Sequence, residues 1–141
     1  MIKIKLFTAF VVLLAALSVH AMEMQDDTRI SLGIKGTMRG EHQLSNMREH
    51  LTALSEIIDN MNNNRYDDAS DIAKEKLGLT MKMSSTCGSF NNKSFEEMGV
   101  RFHKTADELA LVLKTKDQKK SMIALQRVTN GCVQCHSSFK Q

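Results

Sequence analysis

Proline and tryptophan are absent from the 141 residues of this chain, and tyrosine occurs only once. Because β-sandwiches depend on aromatic strand residues and on prolines in their turns, this composition disfavours an all-β fold. The net charge is also small, +3 at pH 7, and no block is rich in lysine or arginine. The charge pattern typical of nucleic-acid-binding proteins is therefore missing. With 42% hydrophobic and 25% charged residues, the chain has the composition of a folded domain rather than of a disordered or fibrous protein.

The longest apolar run lies at the start of the chain and has the features of a secretory signal peptide. Lys3 and Lys5 form a basic region, residues 6–19 are almost uniformly apolar, and a Val-His-Ala cleavage sequence follows. This apolar run is shorter than the roughly 20 residues that a transmembrane helix needs. We therefore predict that residues 1–21 are cleaved on export, without stable membrane insertion, and that residues 22–141 form one domain.

The remaining sequence predicts helices wherever its pattern is readable. Apolar residues recur three and four positions apart, in stripes typical of amphipathic helices. These stripes lie in residues 44–61, 67–78, 94–112 and 122–139. Four such helices with short connections favour an all-α fold, an antiparallel four-helix bundle. Residues 79–93 have no clear pattern, and the glycines within residues 23–43 favour a lead-in over a regular helix.

Capping residues mark the starts of three of these helices. Ser94 and Glu97 match the capping box, in which each side chain satisfies a free backbone amide of the other residue. Asp67 or Asp68 can cap the second helix, and residues 115–118 offer a cap for the last.

The sequence Cys-Val-Gln-Cys-His at residues 132–136 is the attachment signature of c-type haem. On a helix, Cys132 and Cys135 lie about one turn apart, so both sulfurs can reach the two vinyl groups on one edge of the porphyrin. His136 lies four residues after Cys132, so its imidazole can reach the iron as a proximal ligand. The motif predicts one covalently bound haem c, with its iron, as the cofactor.

Other uses of the same residues remain open at this point. A redox-active C-x-x-C pair is expected in a βαβ context, and a structural zinc site needs four ligands. A disulfide between Cys132 and Cys135 would suit an oxidising compartment but leaves His136 without a role. The third cysteine, Cys87, is interpreted as a small buried hydrophobic residue, with dimerisation or misdirected haem attachment as the alternatives.

The motif lies in the last predicted helix and is followed closely by Phe139 and Lys140, a layout that resembles the cytochrome c′ family of four-helix-bundle haem proteins. The resemblance covers most of the chain after the signal peptide in helix order and length. It implies that Cys132 and Cys135 form the thioethers and that His136 is the proximal ligand. It also implies that Lys140 takes the basic position beside that imidazole, where the family often has arginine. The Arg-Gln pair that commonly opens the family's first helix is not evident here.

The resemblance also implies that the first helix supplies the residue on the opposite, distal side of the iron. This position falls near Met47, which lies on the apolar stripe of that helix. A Met/His pair is a standard ligand set for low-spin haem, whereas a methionine of the ordinary core is the alternative. His42 and His50 lie off the stripe and are expected to face solvent, so a second histidine ligand is a lesser alternative. His103, on the third helix, is also expected at the surface.

Three basic residues are candidates to pair with the haem propionates: Arg48, Arg127 and Lys140. We favour Arg127 because it lies on the haem-bearing helix, about one turn before the motif. Each of the three would be equally suited to a solvated face, where an ion pair contributes little.

These features predict a periplasmic monohaem c-type cytochrome that transfers one electron between partner proteins of a respiratory chain. An enzyme is not expected, since a peroxidase would need a distal acid–base pair that the sequence does not show. The alternative function belongs to another class: a five-coordinate haem protein that binds a small gas such as NO or CO. No nucleic-acid partner is expected, and a homodimer remains open.

Overall fold

The structure is a computed structural model and describes residues 26–141. The predicted signal peptide, residues 1–21, lies outside the described residues. The elements follow in the order β1 (Ile30–Ser31), α1 (Met38–Asn62), α2 (Tyr66–Ile72) with a π-helical continuation (Ala73–Leu77), α3 (Met81–Gly88), α4 (Lys93–Leu113), α5 (Gln118–Ser138) and β2 (Phe139–Lys140). Among these residues, no helix is long and apolar enough to cross a membrane.

The prediction of an all-α, antiparallel four-helix bundle is confirmed. The bundle consists of α1, α2 with its π-helical continuation, α4 and α5, and the additional short helix α3 packs against α4. Alanines with no exposed surface lie at the centre, and their small side chains allow the helices to approach closely. Larger apolar side chains fill the space around them, the fully buried ones being Ile57, Leu77, Leu109, Leu113 and Val128.

A second apolar cluster lies at the end of the bundle where α5 finishes. Phe95 packs between two other aromatic rings, with its centroid 4.7 Å from that of Phe90 and 5.3 Å from that of Phe139. Ile34 completes the buried part of this cluster, and Cys135 of the C-x-x-C-H motif packs against it. The aromatic residue after the motif therefore anchors the end of α5.

The two chain segments that flank the bundle pair with each other. Strands β1 and β2 are parallel, with Ile30 opposite Phe139 and Ser31 opposite Lys140. The amide of Leu32 donates a hydrogen bond of 2.8 Å to the carbonyl of Lys140. No periodicity could have predicted strands of two residues, so the sequence predicted only a lead-in or a poor first turn where β1 lies.

Helix α1 begins earlier than predicted, at Met38 rather than near residue 44. The Thr37 hydroxyl caps it by accepting a hydrogen bond of 3.1 Å from the Gly40 amide. Gly40 is needed inside the helix because a Cβ atom there would collide with the carbonyl oxygen of Ile34. The glycine therefore allows the carbonyl of Ile34 to approach α1 closely, and it does not indicate that the helix is absent.

The capping predictions had mixed outcomes. Asp117 caps α5 as expected, since its carboxylate accepts a hydrogen bond of 2.9 Å from the Lys120 amide. The capping box at Ser94 was wrong: the N-cap of α4 is Asn92, whose side-chain oxygen accepts a bond of 3.0 Å from the Phe95 amide. The cap predicted at Asp67 or Asp68 was also wrong. Helix α2 begins after Arg65 without a side-chain cap, and both aspartates lie in its first turn.

Because Asn92 and not Ser94 caps α4, substitutions at these two residues should affect the free energy of unfolding differently. Replacing Asn92 by alanine should lower the free energy of unfolding by about 1 kcal/mol, because the helix loses its cap. Ser94→Ala, at an exposed position inside the helix, is the matched control and should change it by less than about 0.5 kcal/mol. Chemical denaturation followed by circular dichroism measures both values. A larger loss for Ser94→Ala than for Asn92→Ala would contradict the assigned cap.

Candidate haem-binding site

A cavity of about 550 Å³ lies between α1, α3, α4 and α5. This volume falls within the roughly 300–1,000 Å³ that is usual for cofactor sites. Most of its wall is apolar, formed by Leu44, Met47, Leu51, Leu54, Met83, Phe90, Phe95, Met98, Phe102 and Val133. The cavity therefore suits a large, mainly apolar ligand.

The structure brings all three chemically important residues of the motif to this cavity. Cys132, Cys135 and His136 line it from the last turns of α5. The two cysteines are half-buried, whereas His136 is exposed, so its imidazole is open to a ligand. Helical spacing places the three side chains on one side of α5, as the sequence predicted.

The cysteines of the motif do not have the environment of a redox-active pair. Burial raises the pKa of the Cys132 thiol and of the Cys135 thiol above the ordinary value. A catalytic C-x-x-C pair instead needs a lowered pKa and a thiolate. Both thiols, like that of Cys87, are free in the structure.

Cys87 lines the same cavity from α3 and is buried, in agreement with its interpretation as a small buried residue. Burial raises the pKa of its thiol, and the nearby Glu96 carboxylate adds to the effect. Its sulfur lies directly over Gly99 of α4, where a Cβ atom would come within 2.7 Å of Sγ. The position of this thiol therefore depends on the missing side chain at Gly99.

Met47, the distal ligand predicted from the sequence, lines the cavity from α1 and is half-buried. The expectation that His50 faces solvent was wrong. His50 is one turn further along α1, is only 8% exposed and lines the same cavity. Leu51, which the stripe placed inside, is instead 70% exposed at the cavity wall. The inward face of α1 is therefore rotated relative to the predicted stripe.

His103 is also buried, which corrects the prediction of a surface position. Its Nδ1 donates a hydrogen bond of 2.7 Å to the carbonyl of Leu77, at the end of the π-helical turn. Its ring meets that of His50 edge-on at 5.4 Å, and Phe102 stacks on His50 at 5.3 Å. Burial lowers the pKa of His50 to about 4, with His103 contributing, and burial also lowers the pKa of His103. Both imidazoles are therefore neutral at pH 7.

The predicted basic partners of the haem lie in three different places. Arg127 lines a separate hollow of about 280 Å³ between α4 and α5, so the structure does not bring it to the large cavity. Lys140 binds Asp27, with Nζ 3.0 Å from the carbonyl oxygen and 3.3 Å from the carboxylate. Arg48 lines the large cavity and is the sole Lys, Arg, Asp or Glu to do so among residues 26–141. Sequence reasoning included Arg48 but ranked it below Arg127.

Across the part of the chain that the structure describes, no three His, Cys, Asp or Glu side chains are grouped as ligands of a metal ion. No protein-family model, no curated protein and no solved structure matches this chain. The resemblance to cytochromes c′ therefore stays a prediction made from the motif and from the helix order.

The contact between Cys87 and Gly99 can be tested by a double-mutant cycle. A Gly→Ala change inside a helix ordinarily stabilises it by about 1 kcal/mol. In this protein Gly99→Ala should instead lower the free energy of unfolding, because crowding a packed core typically costs about 1–3 kcal/mol. In a Cys87→Ala background the same change should be stabilising. Urea denaturation of the four proteins measures the coupling, and an equal effect of Gly99→Ala in both backgrounds would refute the contact.

Proposed function

We propose that this protein is a periplasmic monohaem c-type cytochrome that transfers single electrons between partner proteins of a respiratory chain. The observation that supports this function most directly is that Cys132, Cys135 and His136 all line one mainly apolar cavity of suitable size. The C-x-x-C-H sequence alone is a short motif. Its position on the wall of a large cavity is an independent observation that points to the same cofactor.

The residues around the cavity fit a haem. Cys132 and Cys135 would hold its vinyl edge through thioethers, and His136 would bind the iron. Aromatic and aliphatic side chains from α1, α3 and α4 would cover the macrocycle and exclude water. When bound, the haem supplies an iron that cycles between Fe(III) and Fe(II).

Arg48 would bind the propionates. It is exposed, lines the cavity and carries its positive charge on the helix opposite the motif. A guanidinium can pair with a carboxylate through two parallel hydrogen bonds. Lys140 is already paired with Asp27, and Arg127 lines the other hollow, so neither has an equivalent position.

Electron transfer is favoured over ligand capture because α1 offers two side chains that can bind iron. Met47 and His50 both line the cavity, and either would close the coordination site opposite His136. The gas-binding alternative is supported by Leu44, Leu51 and Leu54, which line the same wall. If neither ligand reached the iron, these leucines would leave an open apolar pocket for NO or CO.

Covalent attachment is the first test of this function. The wild-type protein, produced together with a c-type cytochrome maturation system, should keep one haem mass after denaturation. Cys132→Ala and Cys135→Ala should each retain at most a single thioether. Cys87→Ala is the matched control, because Cys87 lines the same cavity outside the motif, and it should keep the full haem. Mass spectrometry of the denatured proteins measures the attachment.

Haem that passes intact from the wild type into acidified organic solvent would contradict the proposal. Loss of haem from the Cys87→Ala protein to the same extent as from the motif variants would contradict the assigned attachment sites.

The second test separates electron transfer from gas binding. With a protein ligand on each side, the reduced iron should be low-spin, and CO should bind slowly or not at all, because the ligand must first dissociate. Absorption spectra of the ferric and ferrous protein, with and without CO, measure both properties. A high-spin wild type that binds CO rapidly would favour the gas-binding alternative.

A further inference from the structure

His50 is a buried imidazole in the wall of the cavity that would hold the haem. It is 8% exposed and lies on α1, whereas the haem-attachment motif is on α5. The Phe102 ring stacks on His50 and also packs against the backbone of Gly131, the residue directly before the motif. A Cβ atom added at Gly131 would lie 3.2 Å from that ring. His50 therefore lies close to the level of the motif along the bundle.

The imidazole of His50 lacks a partner for one of its nitrogens. Nε2 is shielded from solvent and makes no hydrogen bond. Buried polar side-chain atoms are nearly always hydrogen-bonded, and leaving one unsatisfied costs about 1–3 kcal/mol. The other buried histidine, His103, has the carbonyl of Leu77 as its partner. An unsatisfied imidazole beside a cofactor cavity is the arrangement expected of a ligand whose partner is the cofactor.

We propose that His50, rather than Met47, is the second axial ligand of the haem iron. This assignment presupposes the covalent haem proposed above and goes beyond it by giving the iron two imidazole ligands, one from α1 and one from α5. Met47 and His50 are three residues apart on one face of α1. They are therefore alternatives for the one iron ligand that α1 would supply.

The deeper burial of His50 and its unsatisfied nitrogen favour His50 over Met47 as the ligand. The thioether of Met47 is a weak acceptor that is stable in an apolar wall without any partner, and the side chain is half-buried. His50 is more deeply buried and has an unmet requirement.

The residues around His50 fix the plane of its ring but do not fix which ring nitrogen faces the cavity. Phe102 stacks on the ring with an interplanar angle of 25°, and His103 meets it edge-on at 82°. A half-turn about the Cβ–Cγ bond exchanges the two edges of the ring without changing its plane, so the stacking is kept. Either nitrogen can thus be turned towards the iron while the ring stays in place. Phe102 and His103 act here as positioning residues.

Two imidazoles give the iron a different redox character from an imidazole and a thioether. Methionine ligation raises the reduction potential of a c-type haem. We therefore expect a lower potential for this protein than for one in which Met47 binds the iron. Suitable electron donors would then be correspondingly stronger reductants.

The test compares His50→Leu with Met47→Leu in the haem-loaded, full-length protein. Both changes introduce the same side chain on the same face of α1, one turn apart. The wild type should be low-spin and should lack the far-red absorption that a thioether–iron bond gives to ferric haem. His50→Leu should become high-spin and bind CO faster by about tenfold or more, the change that ~1.4 kcal/mol of lost competition produces. Met47→Leu should leave both properties unchanged.

A rescue experiment separates ligation from structural support. Added imidazole should restore the low-spin spectrum of His50→Gly, whereas a purely structural role of His50 would give no such recovery. Far-ultraviolet circular dichroism and the amount of covalent haem show whether each variant is folded. If neither His50 variant accumulates, the electron paramagnetic resonance spectrum and the far-red absorption of the wild type decide between two imidazoles and a thioether.

The possible failures are distinguishable. A wild type with covalent haem in which Met47→Leu, and not His50→Leu, opens the iron would overturn the assignment of His50 and leave the c-type cytochrome intact. A high-spin wild type with covalent haem would likewise overturn it, in favour of gas binding. A wild type without covalent haem would overturn both the assignment and the proposed function.

Discussion

The contact between the two ends of the described chain joins the segment that follows the C-x-x-C-H motif to the start of α1. Parallel pairing of β1 with β2 fixes the segment that follows α5, and the Gln141 side chain donates a hydrogen bond of 3.1 Å to the carbonyl of Gly40 in α1. Phe139 then enters the aromatic cluster on which Cys135 packs. This contact adds to the packing of α5 along α4 and joins the last turns of α5 to the start of α1.

The cavity changes the usual relation between polarity and burial in this fold. A bundle without a cofactor buries apolar side chains and places histidines where water or a partner can satisfy them. Here Cys87, His50 and His103 are all buried around one space, and they come from three different helices, none of them α5. The aliphatic core at the other end of the bundle, around Leu109 and Leu113, buries the hydroxyls of Ser70 and Ser121 but no histidine among the described residues. The buried histidines therefore lie around the cavity, whereas the other end of the bundle is packed mainly by aliphatic side chains.

The sequence predicted the architecture and the motif well because both depend on local signals. Helical periodicity and the C-x-x-C-H spacing are properties of short segments, and they need no knowledge of the tertiary structure. The inward face of α1 could not be predicted in the same way. An ideal helix drifts from a seven-residue repeat, and α1 turns His50 inward and Leu51 outward to meet several neighbours.

The remaining differences also have tertiary causes. Gly40 is tolerated inside α1 because the carbonyl of Ile34 leaves no room for a Cβ atom there, and the two-residue strands exist only as a pair of distant segments. Arg127 and Arg48 are both basic residues on helices near the motif, and only their positions around the bundle place one at the cavity and the other outside it. A linear pattern contains no information about that choice. For the same reason a buried, unsatisfied nitrogen at His50 could be found only in the structure.

The pairing of the chain ends also has a consequence for the order of folding. The contact of Lys140 with Asp27 joins residues 113 positions apart, and closing so long a loop costs about 4 kcal/mol of chain entropy. Such distant contacts form after local helices and hairpins have assembled. The pairing of β1 with β2 is therefore expected to form after α4 and α5 have packed against each other. If a haem is attached to the motif as proposed, attachment in that interval would precede the pairing of the ends that closes this side of the bundle.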